Sequence, residues 1–347
     1  MNPPESSSAS FSSAFIYDSF EKTPSCHSVA LVALPGGDVL AVWFAGQKEY
    51  SPDSAHYTSR WSKETGTWSP VSLLWDVPDR QAGNPRLCFD QKGLLWAILP
   101  VNYGKWCNGG GRFYYRTSAD CGKTWSDPVA RPELDLLLGK NKPLLLENGE
   151  MLIPVDHELD KTSAVLTLNP EMDEWTLGET ISLPNNARCL QPALVQISDN
   201  RLLAFLRSDT PRIWKTVSSD NGKTWGSPEE TELRHNDSGV DVVRLQSGRM
   251  LLVFNDVADR EIRTPLSMAV SEDEGRTWSK PVVLDDADGD FCYPAVIQTA
   301  DGTIHVAYTY FLGNPQRVRI ETGAGGTHMK HVWFTEAELL ATLQKEG

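Results

Sequence analysis

Six times along this chain an apolar run enters a turn containing Gly, Asp or Asn, and a second apolar run leaves it. The six are VALVALPGGDVLAVWF, RLCFDQKGLLWAIL, PLLLENGEMLIPV, ALVQISDNRLLAFL, VVRLQSGRMLLVF and AVIQTADGTIHVAY. Short turns of this composition between β-rich runs signal hairpins, because their residues tolerate positive φ. The turn positions Gly37, Gly93, Gly149, Asn200, Gly248 and Gly302 fall 48 to 56 residues apart. A second periodicity is independent of the first. The stretches SADCGKTW (118–125), SSDNGKTW (218–225) and SEDEGRTW (271–278) share one motif, with degenerate copies ending TGTW at Trp68 and MDEW at Trp175. Successive tryptophans of this series are 50 to 57 residues apart.

Strand-rich units repeated near this period predict an all-β fold, a six-bladed β-propeller of four-stranded antiparallel blades. The closed array takes residues 21–347 as one domain and leaves 1–20 as a polar, mobile lead-in. In the repeated turn, Asp accepts backbone N–H bonds, Gly supplies the unusual dihedral and Trp packs between neighbouring sheets. These turns are therefore expected to be structural staples away from any substrate.

The motif SxDxGxTW resembles the Asp-box, or BNR, repeat of the sialidase superfamily. The resemblance extends over about residues 25–340, through CHSVALVALPGGDVLAVWFAG, GNPRL, KNKPLLLENGEMLIP, QPALVQI, NDSGVDVVRL, RTPLSMAVSEDEGRTW and YPAVIQTADGTIHVAYTY. It implies the propeller independently of the spacing, but chemistry must be argued from the site.

Charge and composition narrow the function. A net charge of −14 argues against nucleic-acid and anionic-membrane partners, which need a basic field. No apolar run approaches the roughly 18 residues of a membrane span. No secretory leader pattern opens the chain, so the expected location is cytoplasmic, or secreted if a leader was removed. Cys26, Cys88, Cys107, Cys121, Cys189 and Cys292 lack metal-type spacing and read as reduced thiols. No cofactor is implied. Metal binding is not expected either: HMKH (328–331) would face opposite sides of a strand, and DDADGD (285–290) lacks the distal Glu of a calcium loop. The NDS sequon at 236–238 is read as chance.

Hairpin geometry locates the site. The start of each first strand and the end of each second strand share one edge, so they should ring one mouth of the central channel. The starts carry His27, Asn84 with Arg86, Asn141 with Lys142, Gln191, Asp241 and Tyr293. The ends carry Glu49, Asn102 with Tyr103, His157 with Glu158, Arg207, Asn255, and Tyr308 with Tyr310. Such crowding of titratable and amide groups suits a polar ligand. Arg207 ends one apolar strand and Arg263 opens another; a guanidinium there can hold a carboxylate, or else form an ion pair between blades.

Residue by residue, Arg207 and Arg263 look like two of the three arginines with which sialidases hold the sialate carboxylate, and Tyr293 looks like their nucleophile. His27 stands where the first arginine is expected, Gln191 where the activating Glu is expected, and Glu49 roughly where the acid/base Asp would be. A phenol with a pKa near about 10 is a poor nucleophile without a base, and Gln191 cannot be one. The expectation is therefore β-elimination from a uronate, as in Asp-box lyases that release rhamnose from glucuronate. Arg207 and Arg263 would hold the carboxylate, His27 or Tyr293 would act as base and His157 or Tyr293 as acid. Glu49 is a further catalytic candidate, and Gln191, Asn84, Arg86, Lys142, Glu158 and Asp241 would contact an acidic glycan. The alternatives are an exo-α-sialidase using Tyr293, a non-catalytic glycan-binding propeller, and an enzyme for another carboxylate-bearing small substrate.

Overall fold

The computed structural model describes residues 11–18, 23–49, 51–104, 110–198, 200–312 and 326–346; Cys107 and part of the 1–20 lead-in lie outside them. All six expected hairpins are antiparallel pairs. They are Ser25–Ala33 with Val39–Gly46, Arg86–Phe89 with Leu95–Ile98, Leu144–Leu145 with Met151–His157, Leu190–Ser198 with Arg201–Arg207, Asp241–Arg244 with Met250–Asn255, and Gly289–Gln298 with Thr303–Leu312. Further strands extend each pair to a sheet of four or more, and a small sheet of Gln81–Ala82, Val101–Asn102 and Gly111–Arg112 stands apart. The second strands Val39–Gly46 and Met250–Asn255 are buried throughout, which is why they read as continuous apolar runs rather than alternating ones.

Neighbouring sheets meet through their first strands. Ser25–Ala33 touches Arg86–Phe89, and the contacts continue through Leu144–Leu145, Leu190–Ser198, Asp241–Arg244 and Gly289–Gln298 back to Ser25–Ala33. Between each adjacent pair of sheets lies its own apolar cluster, for example Leu31, Trp43 and Trp61 against Ala295, Ile297 and Ala307.

The three full-length turns share one bonding scheme. In the first, Ser118 Oγ donates to Asp120 Oδ1 at 2.8 Å and accepts from the Gly122 N–H at 2.8 Å. Asp120 also accepts the Thr124 N–H at 2.8 Å and its hydroxyl at 2.6 Å. These donors hold the aspartate below the usual carboxylate range. Positive φ falls on two successive residues, Cys121 (59°) and Gly122 (85°). A Cβ on Gly122 would stand 2.8 Å from Leu40 of the neighbouring sheet, so the turn is clamped against that sheet. The expected staple is present.

Two elements depart from expectation. Ser12–Tyr17, assigned to the mobile lead-in, is a strand paired with His328–Thr335 that supplies the outer edge of the last sheet. Burial of Ile16 and Tyr17 and the open edge of the Thr303–Leu312/His328–Thr335 pair explain why it docks. The chain also closes on an α-helix, Glu336–Glu346. Thr335 Oγ1 accepts the Glu338 N–H at 3.3 Å, and Glu338 Oε2 accepts the Thr335 N–H at 2.7 Å, a reciprocal cap.

Candidate functional site

Three of the six first strands begin with a β-bulge, and at each bulge a non-glycine residue has positive φ: Ser28 (55°), Gln191 (49°) and Tyr293 (55°). A bulge adds a residue and re-aims a side chain. Such backbone is strained for a residue with a Cβ, and strain of this kind concentrates at functional sites. Here the bulges bring His27, Gln191 and Tyr293 together from three sheets.

Tyr293 is the centre. Arg207 Nη1 donates to its Oη at 2.7 Å and Gln191 Nε2 donates at 3.3 Å. Arg207 Nη1 also donates to Gln191 Oε1 at 3.1 Å; because arginine only donates, this contact fixes the orientation of the Gln191 amide. With two donors already on Oη, the phenol's own proton is directed elsewhere. The His27 ring packs 4.1 Å from the Tyr293 ring, and Arg263 lies 5.9 Å from it on another side. Burial raises the Tyr293 pKa above its ordinary 10.0, against the lowering effect of Arg207 and Arg263, so it is a neutral phenol at physiological pH.

Arg207 is fixed by a carboxylate that the sequence did not single out. Asp237 Oδ1 accepts Arg207 Nε at 3.0 Å, while its Oδ2 accepts Arg188 at 3.0 Å and Arg260 at 2.8 Å. Burial pushes the Asp237 pKa up, but Arg207 and Arg188 outweigh it and hold the group below its ordinary range.

Tyr293 forms part of the wall of a small cleft, open to solvent, that Glu49, Asn84, Asn102, Asp156, Glu158 and Gln191 also line. Three carboxyls therefore face one cleft. Glu158 pairs with Arg188 at 3.2 Å, and Glu49 lies 3.9 Å from His27 Nε2. Asp156 is the most buried of the three, with Oδ1 accepting the Gln191 N–H at 3.2 Å. Burial and then Glu158 push its pKa up to about 7, against the Gln191 N–H, Arg86 and Arg207.

The remaining expected residues take other positions. His157 pairs with Asp160 at 2.8 Å and is not part of the cleft wall, because strand alternation turns Asp156 inward and His157 out. It is not placed to act as the acid. His27 is also behind the wall, bonded through Nδ1 to Thr309 at 3.0 Å. Burial, then Arg263, Arg207 and Lys140, keep it uncharged. Arg86 is fully buried, donating to the Pro154 carbonyl at 3.1 Å. Lys142 and Asp241 satisfy each other at 2.8 Å, and Asp241 also accepts the Val296 N–H. These two join three sheets and are not free for a ligand. Asn84 does reach the cleft, donating to the Gly139 carbonyl at 3.3 Å. Lys140, unnoticed in the sequence, is buried beside Asn141 and the Pro294 carbonyl; burial brings its pKa down to about 8. Asn236 of the sequon is fully buried.

Residues 37–306 match the model of the BNR repeat-like domain. The chain belongs to that family. Among solved structures it is similar to the Hadza microbial sialidase Hz136, with TM-score 0.75, 17% identity, and 94% of this chain and 68% of the other covered. It is also similar to the NanB sialidase of Streptococcus pneumoniae, with TM-score 0.76, 12% identity, and 94% and 71% covered. A leech intramolecular trans-sialidase gives TM-score 0.77, 13% identity, and 94% and 70% covered. No curated protein matches the sequence. At these identities the structural likeness establishes a sialidase-like, propeller-type fold, and the chemistry rests on the cleft itself.

Proposed function

We propose that this BNR-repeat protein is a six-bladed propeller enzyme that cleaves a terminal glycosidic bond beside a carboxylate-bearing sugar, by β-elimination on a uronate. The cyclic contacts of six first strands support the blade number. The observation that carries the chemistry is the environment of Tyr293: a buried neutral phenol receives bonds from Arg207 and Gln191 and has a side-chain amide where a base would have to sit. A nucleophilic tyrosine needs that base. A proton-donating tyrosine needs instead cationic and amide donors to stabilise the phenolate it becomes, and these are in contact with it.

In this reading Arg263 and Arg207, which stand behind the cleft wall beside the Tyr293 ring, supply the positive field that offsets the uronate carboxylate and so acidifies the C5 proton. A base of the cleft takes that proton as the C4–C5 double bond forms. The C4–O bond breaks, and Tyr293 gives its proton to the departing oxygen. The later return of the C5 proton from base to tyrosinate closes the cycle. Several solved structures of this fold bear the name sialidase, which supports a carboxylate-bearing sugar as the substrate class.

The test is incubation with oligosaccharides that carry a sugar on O4 of a uronate, and with sialylated ones, with products analysed by mass. A product lighter by one water than its hydrolytic counterpart supports elimination. Free sialic acid would assign hydrolysis with a rewired base, and intact substrate throughout would assign a binding role or another carboxylate substrate.

A further inference from the structure

We propose that Asp156 is the base of this cleft, held in register with its proton-donating partner by the single residue Gln191. The assignment rests on the elimination reading above and goes beyond it by naming the group that takes the C5 proton.

Gln191 connects the two. At its bulge, the positive φ turns the backbone N–H toward Asp156 Oδ1 at 3.2 Å and the side-chain amide toward Tyr293 Oη at 3.3 Å. The carboxyl and the phenol therefore face one cleft from two sheets, oriented by opposite ends of one residue. Asp156 Oδ2 makes no hydrogen bond with any described residue, and the side chain is part of the cleft wall. One oxygen is anchored and the other is available to substrate, as a general base requires. The other two carboxyls are less suited, since Glu158 is held by Arg188 and Glu49 stands by His27.

The charged groups around Asp156 are Glu158, Arg86 and Arg207, with Arg188 beyond Glu158 and Glu49 and Tyr293 across the cleft. Burial and Glu158 prevail over the arginines, and the carboxyl changes charge near about 7, close to where a base is most effective at neutral pH. The step balances: Asp156 Oδ2 takes the C5 proton, the C5–H electron pair becomes the C4=C5 bond, the C4–O bond breaks, and Tyr293 Oη protonates the leaving oxygen.

The folded-state pKa of this acid lies above its ordinary 3.8. The stability it contributes is therefore complete below about pH 4 and is lost as pH rises to about 7. The experiment compares full-length wild type, Asp156→Asn and Asp156→Ala. Turnover is followed by the ultraviolet absorbance of the unsaturated product, and the unfolding midpoint is followed across pH. Wild-type kcat/KM should rise with pH to a plateau with an apparent pKa near about 7. Asp156→Asn should lose about 100-fold or more and should gain in melting temperature over wild type between about pH 4 and 7, with a constant gain above. Added formate should restore part of the activity of Asp156→Ala.

If wild type eliminates and Asp156→Asn retains its rate and pH limb, the assignment to Asp156 falls while the elimination reading stands. A folded Asp156→Ala that is inactive and not rescued by formate marks a structural role and also overturns it, as does a pH-independent difference in melting temperature. If wild type cleaves no uronate, the elimination reading fails and the base assignment goes with it.

Discussion

Tyr293 holds its position through packing against His27, and its proposed role rests on one oxygen, so the two can be separated. Tyr293→Phe keeps the ring contact of 4.1 Å but leaves Arg207 and Gln191 without their shared acceptor. Turnover should fall by about 10²–10⁴-fold, while calorimetry with an uncleaved uronate oligosaccharide should show binding retained. Binding lost together with turnover would contradict the separation. Asp237 makes the complementary case. It is the shared acceptor of Arg188, Arg207 and Arg260, so Asp237→Asn removes the one negative charge that Arg207 and Arg260 share, while Arg188 keeps Glu158, and should cost about 3 kcal/mol. The folded-state pKa of Asp237 is depressed, so its stabilising effect is present above the ordinary 3.8 and disappears as pH falls through the lowered value. Chemical denaturation at neutral and at low pH should therefore give a deficit that shrinks on acidification; an equal deficit at both would refute the charge argument. Arg207, Gln191 and Tyr293 were legible in the sequence because each stands at the polar end of an apolar strand. Asp156 was not, because choosing between it and His157 needs the strand phase, and the run MLIPVDHE leaves that phase ambiguous.

The elements were read well where both faces of a strand are buried and poorly where one face is wet. All six hairpins follow from turn chemistry between apolar runs. The edge strand Ser12–Tyr17 buries only its last two residues, and its sequence SSAFIY gives too little alternation to separate it from a loose lead-in. The terminal helix did carry a signal, the Thr335-to-Glu338 capping pair, which the repeated strands before it obscured. The Asp-box turns permit a test at this scale. Asp220 accepts from Ser218 Oγ and from both the N–H and the hydroxyl of Thr224, and the turn lies against the neighbouring sheet through Gly222, which approaches Leu152. Asp220→Ala should lower the melting temperature by about 2–4 °C and leave kcat/KM unchanged. A change in kcat/KM would mean that the turn communicates with the cleft and is more than a staple.

At the scale of the whole molecule, acid should be the weakness of this fold, and the reason is histidine burial rather than surface charge. His27, His56, His235, His305 and His331 are all buried, and burial lowers each of them from the ordinary 6.5, to about 4 for His56 and His305 and about 3 for His235. His305 and His331 stack between the last sheet and the first, bonded to each other at 3.0 Å, with Trp68 donating to His331 at 3.2 Å. Protonation would therefore act on the junction that closes the array. Below 6.5 the unfolded chain binds protons that the native state refuses, so these five groups stabilise the fold above that value and lose that effect as pH falls, through about 4 for His56 and His305 and about 3 for His235. Asp156 works in the opposite direction over its own range, from 3.8 to about 7. His56, His235 and His305 against one carboxyl leave a net of two protons, or roughly 3 kcal/mol per pH unit around pH 5, and His27 and His331 act in the same direction. Relief of self-repulsion among the net −14 charges opposes this, but surface repulsion is largely screened beyond about 10 Å at moderate salt, whereas buried imidazoles are not. Proton uptake should win. Set against a typical total of about 5–15 kcal/mol, urea unfolding at moderate salt should show the midpoint falling steeply between about pH 6.5 and pH 5. A flat midpoint across that window would mean that the buried imidazoles can be protonated in place, and that the junction between the first and last sheets is looser than its packing implies.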